Sequence, residues 1–350
     1  MTTVSVLGGS GYVGGELLRL LFSHPACELQ IISSQRYPGE PIYRVHPNLR
    51  GLTTLKFQKV DLEAVAAKSD IVFTALPHGK SVEIVPELLQ RGLKVVDLTA
   101  DFRLKDPTAY KEYYGFEHSH PDLLEKAAYG LPELHRELIK NSELVAVPGC
   151  MATAAILSLA PVVGSGLVDT DRIVIDAKIG SSGAGVSPTI ASHHSERSDC
   201  VRPYKVTGHR HIAEIEQELG SLGNGQVKVA FTPHAVNMVR GVLTTTHAFP
   251  LRDLSDRDLW KAYRGRYDQE PFIRMVSDRK GLYGLPNPKT TIGTNFCDIG
   301  FEIDSHVRRV IIFSALDNLT KGAAGQAVQC YNILTGQDER TGLNALGLHP

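Results

Sequence analysis

One cysteine, two histidines and a glutamate carry most of the chemistry that this chain's residue types support. Cys150 lies in Val145-Ala146-Val147-Pro148-Gly149-Cys150-Met151-Ala152-Thr153-Ala154, where a short apolar run meets a Pro-Gly break and then a series of small residues with helical character. A thiol that opens a helix sits at the positive end of the helix dipole, which favours the thiolate at neutral pH. The N–H groups of the same terminus can hold an oxyanion. Small side chains at 152, 154 and 155 leave room for a substrate. The plain alternative is a buried structural cysteine, the usual state of a free thiol. Cys27, Cys200, Cys297 and Cys330 lack such a setting and read as structural.

A base for the thiol is offered by Gly208-His209-Arg210-His211-Ile212-Ala213-Glu214-Ile215. Ile212, Ile215 and Leu219 mark the buried face of a helix that starts near His211. His211 and Glu214 are then one turn apart, so the carboxylate can orient the imidazole. His209, just before the helix, could serve instead. A metal reading of His-x-His lacks an evident third ligand, so no metal is expected. His193-His194 reads as part of a surface or substrate loop.

Val4–Leu7 runs into Gly8-Gly9-Ser10-Gly11-Tyr12-Val13-Gly14, after which a helix begins. Glycines between a strand and a helix let the backbone turn sharply against a pyrophosphate, and the helix terminus supplies N–H donors. The next strand ends Ile32-Ser33-Ser34-Gln35-Arg36, with two hydroxyls and a cation where an acid would bind a ribose 2′-hydroxyl. That favours NADP(H) over NAD(H); the alternative is an ordinary solvated loop. Two further segments read as anion sites. Leu98–Arg103 follows a strand, and Arg103 could clamp a phosphate or pair with Asp101 or Asp106. Gly180-Ser181-Ser182-Gly183-Ala184-Gly185 could present backbone N–H groups to a substrate or be a plain flexible loop. A thiolate, a base and a nicotinamide cofactor together suit interconversion of an aldehyde and an acyl phosphate through a thioester.

The elements that must position these groups follow from periodicity. The first ~150 residues alternate short apolar runs with helical patterns, in keeping with the usual domain size. Strands are expected at Val4–Leu7, 29–33, 70–75 and 94–98, with helices at Tyr12–Phe22 and Ser81–Gln90. This rhythm predicts a doubly wound parallel sheet of Rossmann type. Residues 36–50, rich in proline, read as an excursion near its binding edge. After Val145, longer strands at 173–179, 227–231, 239–248, 298–303 and 309–315 predict a second α+β domain with a mixed or antiparallel sheet. A final helix over 322–334 is placed to return to the first domain. The expected division is 1–148 for NADP binding, completed by a C-terminal helix over 320–350, and 149–319 for catalysis and oligomerisation.

The 350 residues carry 37 Lys+Arg against 38 Asp+Glu, which argues against a general nucleic-acid or membrane-surface binder. No apolar run approaches the ~20 residues that span a bilayer. The start does not read as a secretory signal. The five cysteines are widely spaced with no CxxC pair, which suits a reduced, cytoplasmic protein.

As an ordered set, Gly8–Gly15, Ala75-Leu-Pro-His-Gly79, Asp97–Leu104 with Tyr113-Tyr114-Gly115, Pro148-Gly-Cys150, Ser182–Gly185, Gly208–Gln217 and Asp317–Gln326 resemble the N-acetyl-γ-glutamyl-phosphate reductase family over essentially the whole length. The resemblance implies a semialdehyde dehydrogenase-like fold and NADPH-dependent reduction of an N-blocked acyl phosphate to its semialdehyde. It implies Cys150 as nucleophile and His209 or His211, with Glu214, as the source of the base. Cofactor contacts are implied at Gly8, Ser10, Gly11, Tyr12, Val13, Ser33, Ser34, Arg36, Pro77, Ser182, Gly183 and Asn318. Substrate contacts are implied at Arg103, Ser181, Gly185, Arg197, Arg202 and Lys205. Family members are dimers or tetramers formed through the second domain.

The chain departs from the acetyl-using pattern where Met151-Ala152-Thr153 stands in place of Tyr-Pro-Thr. Segments 191–211, Val45–Gly51 and Gly347–Pro350 look more like the LysY branch, whose substrates are tethered to a small acidic amino-group carrier protein, LysW. That branch reduces the carrier-linked phosphate of 2-aminoadipate, glutamate or both, in lysine and arginine synthesis. The basic run of Arg197, Arg202, Lys205, His209 and Arg210 in an otherwise neutral chain would steer an acidic partner. It could also be a substrate-phosphate site with a solvated loop. Two other readings stand beside this one. An aspartate-semialdehyde dehydrogenase is disfavoured by Gly208–Gln217 and Asp317–Gln326; a nicotinamide sensor without chemistry would leave Cys150 structural.

Overall fold

The computed structural model describes residues 1–349 apart from Asn224 and Arg279; the last residue of the Gly347–Pro350 resemblance lies outside them. The chain divides into two compact units, Met1–Pro148 with Ala323–Ala345, and Gly149–Gly322 with Leu346–Pro350.

Unit one is built on six strands: β1 Thr2–Leu7, β2 Cys27–Ile32, β3 Ile71–Thr74, β4 Lys94–Asp97, β5 Ala128–Tyr129 and β6 Leu144–Ala146. They pair in the order β2-β1-β3-β4-β6-β5, and every pairing is parallel. Both faces of a parallel sheet are covered, so its strands read as continuous apolar runs; Val4, Val6 and Leu7 are fully buried. Helix α1, Tyr12–Phe22, buries Leu17, Leu18, Leu20 and Leu21, each worth ~2 kcal/mol relative to exposure. Helices α2, Ser81–Gln90, and α3, Pro132–Lys140, follow β3 and β5. Chain order reverses between β1 and β3, and ligands of such sheets gather at that point.

The last helix is shorter than 320–350. A π-helical turn, Thr320–Ala324, leads into Gly325–Leu334, and residues 346–350 group with unit two. All ten residues of Gly325–Leu334 are buried. A helix without a wet face needs internal partners for its polar groups. Gln326 donates to the Gly130 carbonyl at 2.7 Å, Gln329 to Glu339 at 2.9 Å, and Asn332 meets His24 at 2.8 Å. The 36–50 excursion holds two short helical turns, Ile42–Val45 and Pro47–Leu49.

Unit two carries β7 Val168–Ile179, β8 Val201–Pro203, β9 Val229–Val236, β10 Val242–Pro250, β11 Ile273–Met275, β12 Cys297–Asp304 and β13 Arg309–Leu316. They form one sheet in the order β11-β12-β13-β10-β7-β9-β8. It is mixed: β7 with β9 and β11 with β12 are parallel, and the remaining pairs are antiparallel. Helices α4 Cys150–Gly164, α5 His211–Gly220 and α6 Asp256–Tyr267 pack together on it. Along β10, buried Val242, Thr244, Thr246 and Ala248 alternate with half-buried Leu243, Thr245, His247 and Phe249, the pattern of a sheet with one buried face.

Candidate active site

In unit one the glycine turn at the end of β1 is shaped as a phosphate cradle. Gly8 has φ +87°, and a methyl group there would collide with the Ala75 carbonyl, so glycine is required. A methyl at Gly14 would lie 2.7 Å from the Gly8 carbonyl, which fixes the close approach of α1 to the turn. Gly11, in contrast, faces open space. It is the N-cap of α1 and makes no side-chain capping bond, and Tyr12, the first helical residue, is exposed. An open helix N-terminus beside a glycine turn fits the pyrophosphate of a dinucleotide.

Ser33 and Ser34 are buried, and both hold this turn. The Gly8 N–H donates to Ser33 Oγ at 3.2 Å, and the Ser10 and Ser34 hydroxyls meet at 2.8 Å. Ser34 Oγ also accepts the N–H groups of Arg36 and Tyr37. The Arg36 guanidinium lies 5.6 Å from the centre of the Tyr37 ring. Val13 is half-buried on the first turn of α1, and Pro77 lies exposed in the turn after β3.

The 98–103 segment is not an open anion site. Asp101 itself covers the start of α2, accepting the N–H of Gly79 at 2.7 Å and of Ser81 at 2.9 Å. Burial, reinforced by the neighbouring Asp97, raises its carboxyl to about 6. Arg103, expected to clamp a phosphate, is buried and donates to the Val147 carbonyl at 2.7 Å and the Leu98 carbonyl at 3.4 Å. It ties the loop after β4 to the end of β6.

In unit two, Cys150 opens α4 and its N-cap, Gly149, makes no side-chain capping bond. The Gly149 N–H donates to Glu214 Oε2 at 2.9 Å. The other oxygen, Oε1, lies 3.8 Å from His211 Nε2. A methyl group at Gly149 would overlap His211 Nε2 and approach Glu214 Oε1 to 2.9 Å. The imidazole edge and the carboxylate are therefore packed on the residue before the thiol, which a larger residue than glycine would prevent. Glu214 is fully buried and His211 nearly so.

His209 lies 4.7 Å from His211, ring centre to ring centre, and both lean on Phe231. His209 Nδ1 accepts the His211 N–H at 3.2 Å, so the neutral ring carries its proton on Nε2. Burial, then the charges of Arg210 and Lys205, pull its pKa down to about 4. Tyr204, which sequence reasoning missed, lies against His209, and burial pushes its phenol up to about 12 with Cys150 as the next cause. Its only sequence signal was an aromatic residue within the basic run.

The 180–185 segment departs from the expectation that it presents N–H groups to a ligand. Gly180, Ser181 and Ser182 donate to the carbonyls of Gly241, Met238 and Val239, and Gly183 and Gly185 donate within the turn. A one-turn 3-10 helix over Ser181–Ala184 closes the loop on itself. The Ser182 hydroxyl accepts from Asn318 Nδ2 at 2.9 Å, while Asn318 Oδ1 accepts the Gly241 N–H at 2.7 Å.

In the basic run Lys205 is exposed, Arg197, Arg202 and Arg210 are half-buried and His209 is buried, with part of the charge tied to the loop. Arg197 donates to the Ile179 carbonyl, and Arg202 to those of Glu196 and Ala191. Lys205 is exposed and adopts a left-handed backbone, φ +42°. His193 and His194 lie exposed beside Ser195 and Ser198. Among the described residues no group of three or more His, Cys, Asp or Glu is placed to hold a metal ion.

Comparison with known proteins agrees with this architecture. The family described as "Semialdehyde dehydrogenase, NAD binding domain" matches residues 3–142, and "Semialdehyde dehydrogenase, dimerisation domain" matches 150–318. Among solved structures, aspartate semialdehyde dehydrogenase II from Vibrio cholerae superimposes with a TM-score of 0.73 at 19% identity, covering 96% of this chain and 99% of that one. The enzyme of Candida albicans, solved with NADP, gives 0.68 at 17%, covering 96% and 99%. The fold and the two matches define a semialdehyde dehydrogenase-type oxidoreductase. Within that class, the "[LysW]-L-2-aminoadipate/[LysW]-L-glutamate phosphate reductase" of Sulfurisphaera tokodaii is 51% identical over 100% of both chains. A relative from Caldivirga maquilingensis, given the same name provisionally, is 54% identical over 100% of both. The chain belongs to this family of LysW-linked phosphate reductases.

Proposed function

We propose that the protein reduces a LysW-linked acyl phosphate of 2-aminoadipate, glutamate or both to the semialdehyde, with Cys150 as nucleophile and NADPH as reductant. The reading is carried by the Gly149–Cys150 turn, held by the Glu214 carboxylate and packed under His211. It is supported by full-length relatives above 50% identity that are named for this reaction. Residues outside the Cys150 turn choose between a tethered and a free substrate, so the acetyl-using reaction is the second arm of the test.

Cys150 attacks the acyl carbonyl, phosphate leaves, and the acyl group rests on sulfur as a thioester. The first N–H groups of α4 stabilise the oxyanion that forms on the way. NADPH, when bound, supplies the hydride. His211, oriented by Glu214, takes the thiol proton and returns it to sulfur as the aldehyde departs. His209 stays neutral and offers Nε2–H as a hydrogen-bond donor. Gly8, Ser10, Gly11, Tyr12 and Val13 hold the pyrophosphate. Ser33, Ser34 and Arg36, with no acid among them, favour a 2′-phosphate over a free hydroxyl.

Exposed Lys205 and half-buried Arg197, Arg202 and Arg210 give the 197–210 segment a positive charge that suits an acidic carrier. The half-buried face of the second sheet suits a homodimer. The nucleophile must stay a thiol, and Cys27, Cys150, Cys200, Cys297 and Cys330 are all free, which suits the cytoplasm.

The test is phosphate-dependent reduction of NADP⁺ and of NAD⁺, with the carrier-linked semialdehyde and, in parallel, with free N-acetylglutamate semialdehyde. Turnover of the tethered compound with NADP⁺, lost in Cys150→Ser, is expected. Robust turnover of the free compound would move the protein to the acetyl-using reaction.

A further inference from the structure

The nucleophile is backed by a turn that the reaction scheme leaves unused. Gly322 closes the Asp317–Gly322 segment, and a methyl group there would lie 2.6 Å from Cys150 Cβ. The Gly322 N–H donates to the Asp317 carbonyl at 2.9 Å. The Asp317 side chain is fully buried and organises the turn from within. It accepts the Leu319 N–H at 2.9 Å and the Gly293 N–H at 2.7 Å.

Its cation is Arg240, 77 residues upstream, on the approach to β10. Arg240 Nε meets Asp317 Oδ1 at 3.2 Å and Nη2 meets Oδ2 at 2.8 Å, a two-point fork. The same Nη2 donates to Thr320 Oγ1 at 3.1 Å. Asn318, beside Asp317, is held by Gly241 and Ser182. One arginine thus fastens the first residue and the middle of the turn that presses on the thiol-bearing residue.

We propose that Arg240 and Asp317 are a positioning pair for catalysis: their fork fixes the turn at Gly322 against Cys150 and so sets where the sulfur stands. Neither residue touches the reacting atoms. The inference rests on Cys150 being the nucleophile. A lysine at 240 keeps the charge and loses the fork. A sulfur displaced by a fraction of an ångström loses turnover while substrate still binds.

The experiment compares Arg240→Lys, Asp317→Asn and the milder Thr320→Val with wild type. The control is Arg274→Lys, which breaks a second forked pair of this unit, Arg274–Asp298. Two quantities are read: kcat and KM with the carrier-linked semialdehyde, and the pH profile of iodoacetamide alkylation at Cys150, followed by peptide mass spectrometry. Arg240→Lys and Asp317→Asn are expected to lower kcat about 10- to 100-fold with KM within about twofold. They should also shift the alkylation profile, with Thr320→Val showing a smaller loss and Arg274→Lys neither effect. Wild-type kcat and alkylation in Arg240→Lys or, should that variant not fold, in Thr320→Val would overturn the proposal. So would equal losses in Arg274→Lys, which would mean general destabilisation. Retained turnover in Cys150→Ser would instead overturn the nucleophile assignment itself, so the two failures are distinguishable.

Discussion

Glu214 is the residue in which local chemistry and backbone geometry meet. One oxygen accepts the Gly149 N–H and the other faces His211 Nε2. Glutamine at this position keeps the size and one acceptor but removes the charge that favours the imidazolium. Glu214→Gln is therefore expected to lower kcat about 10- to 100-fold, the usual scale for loss of positioned acid–base catalysis, and to move the acidic limb of the kcat/KM profile, where the base loses its free electron pair, to lower pH. A pH–rate profile identical to wild type would show that His211 works without the carboxylate. The three-residue spacing of His211 and Glu214 was legible in the sequence, because one helical turn brings such a pair together. The bond to Gly149 was not legible, since it joins residues 65 apart. Ser33 and Ser34 teach a related lesson. Their types point to a 2′-phosphate, yet each hydroxyl also holds the glycine turn, a use that only geometry reveals.

At the scale of elements, two buried groups respond to pH in opposite senses. Asp101, at the start of α2, is raised to about 6 from its ordinary 3.8, so the folded state binds more protons than the unfolded state between those values. Its contribution to stability is present below about 4 and is lost as pH rises through about 6. His209, just before α5, is lowered to about 4 from 6.5. Its contribution is present above about 6.5 and is lost as pH falls through about 4. The windows overlap, so the wild-type melting temperature between pH 4 and 6.5 hides both. Asp101→Asn is expected to make Tm rise more steeply with pH in that range, and His209→Asn to flatten or reverse the rise. Parallel Tm–pH curves for all three proteins would refute the assignment of these groups. The elements themselves were readable where packing follows one period. The helices expected at Tyr12–Phe22 and Ser81–Gln90 have those bounds. Reading faltered where tertiary contacts set the limits. Strand β7 begins five residues before the expected 173, at Val168, because Val168 pairs with Pro250 beyond a register shift. The last helix starts at Gly325 because a π-turn at Thr320–Ala324 intervenes.

For the whole molecule, the second sheet is the surface through which the proposed homodimer would form. Across β7, β10 and β13, Val174, His247 and Ile311 form one cross-strand row, and Asp176, Thr245 and Phe313 the next. Val174 is 38% exposed on a strand at the middle of the sheet, where a lone chain would be expected to cover it. If the proposed dimer forms through this face, Phe313→Asp is expected to give a monomer in light scattering while far-UV circular dichroism is preserved. A dimer that persists would place the interface elsewhere.

The enclosed helix Gly325–Leu334 has one more consequence, for the order in which a nascent chain can fold. Residues 1–148 emerge from the ribosome long before the segment that fills their core. Until then α1, α3 and β4, which pack on that helix, must wait with apolar surface exposed, while residues 149–322 can already close. Synthesis thus leaves the nucleotide-binding half as the late partner, open to chaperones and proteases, and a ribosome that stalls before codon 325 yields a product whose second unit lacks only its short C-terminal segment while the first is hollow.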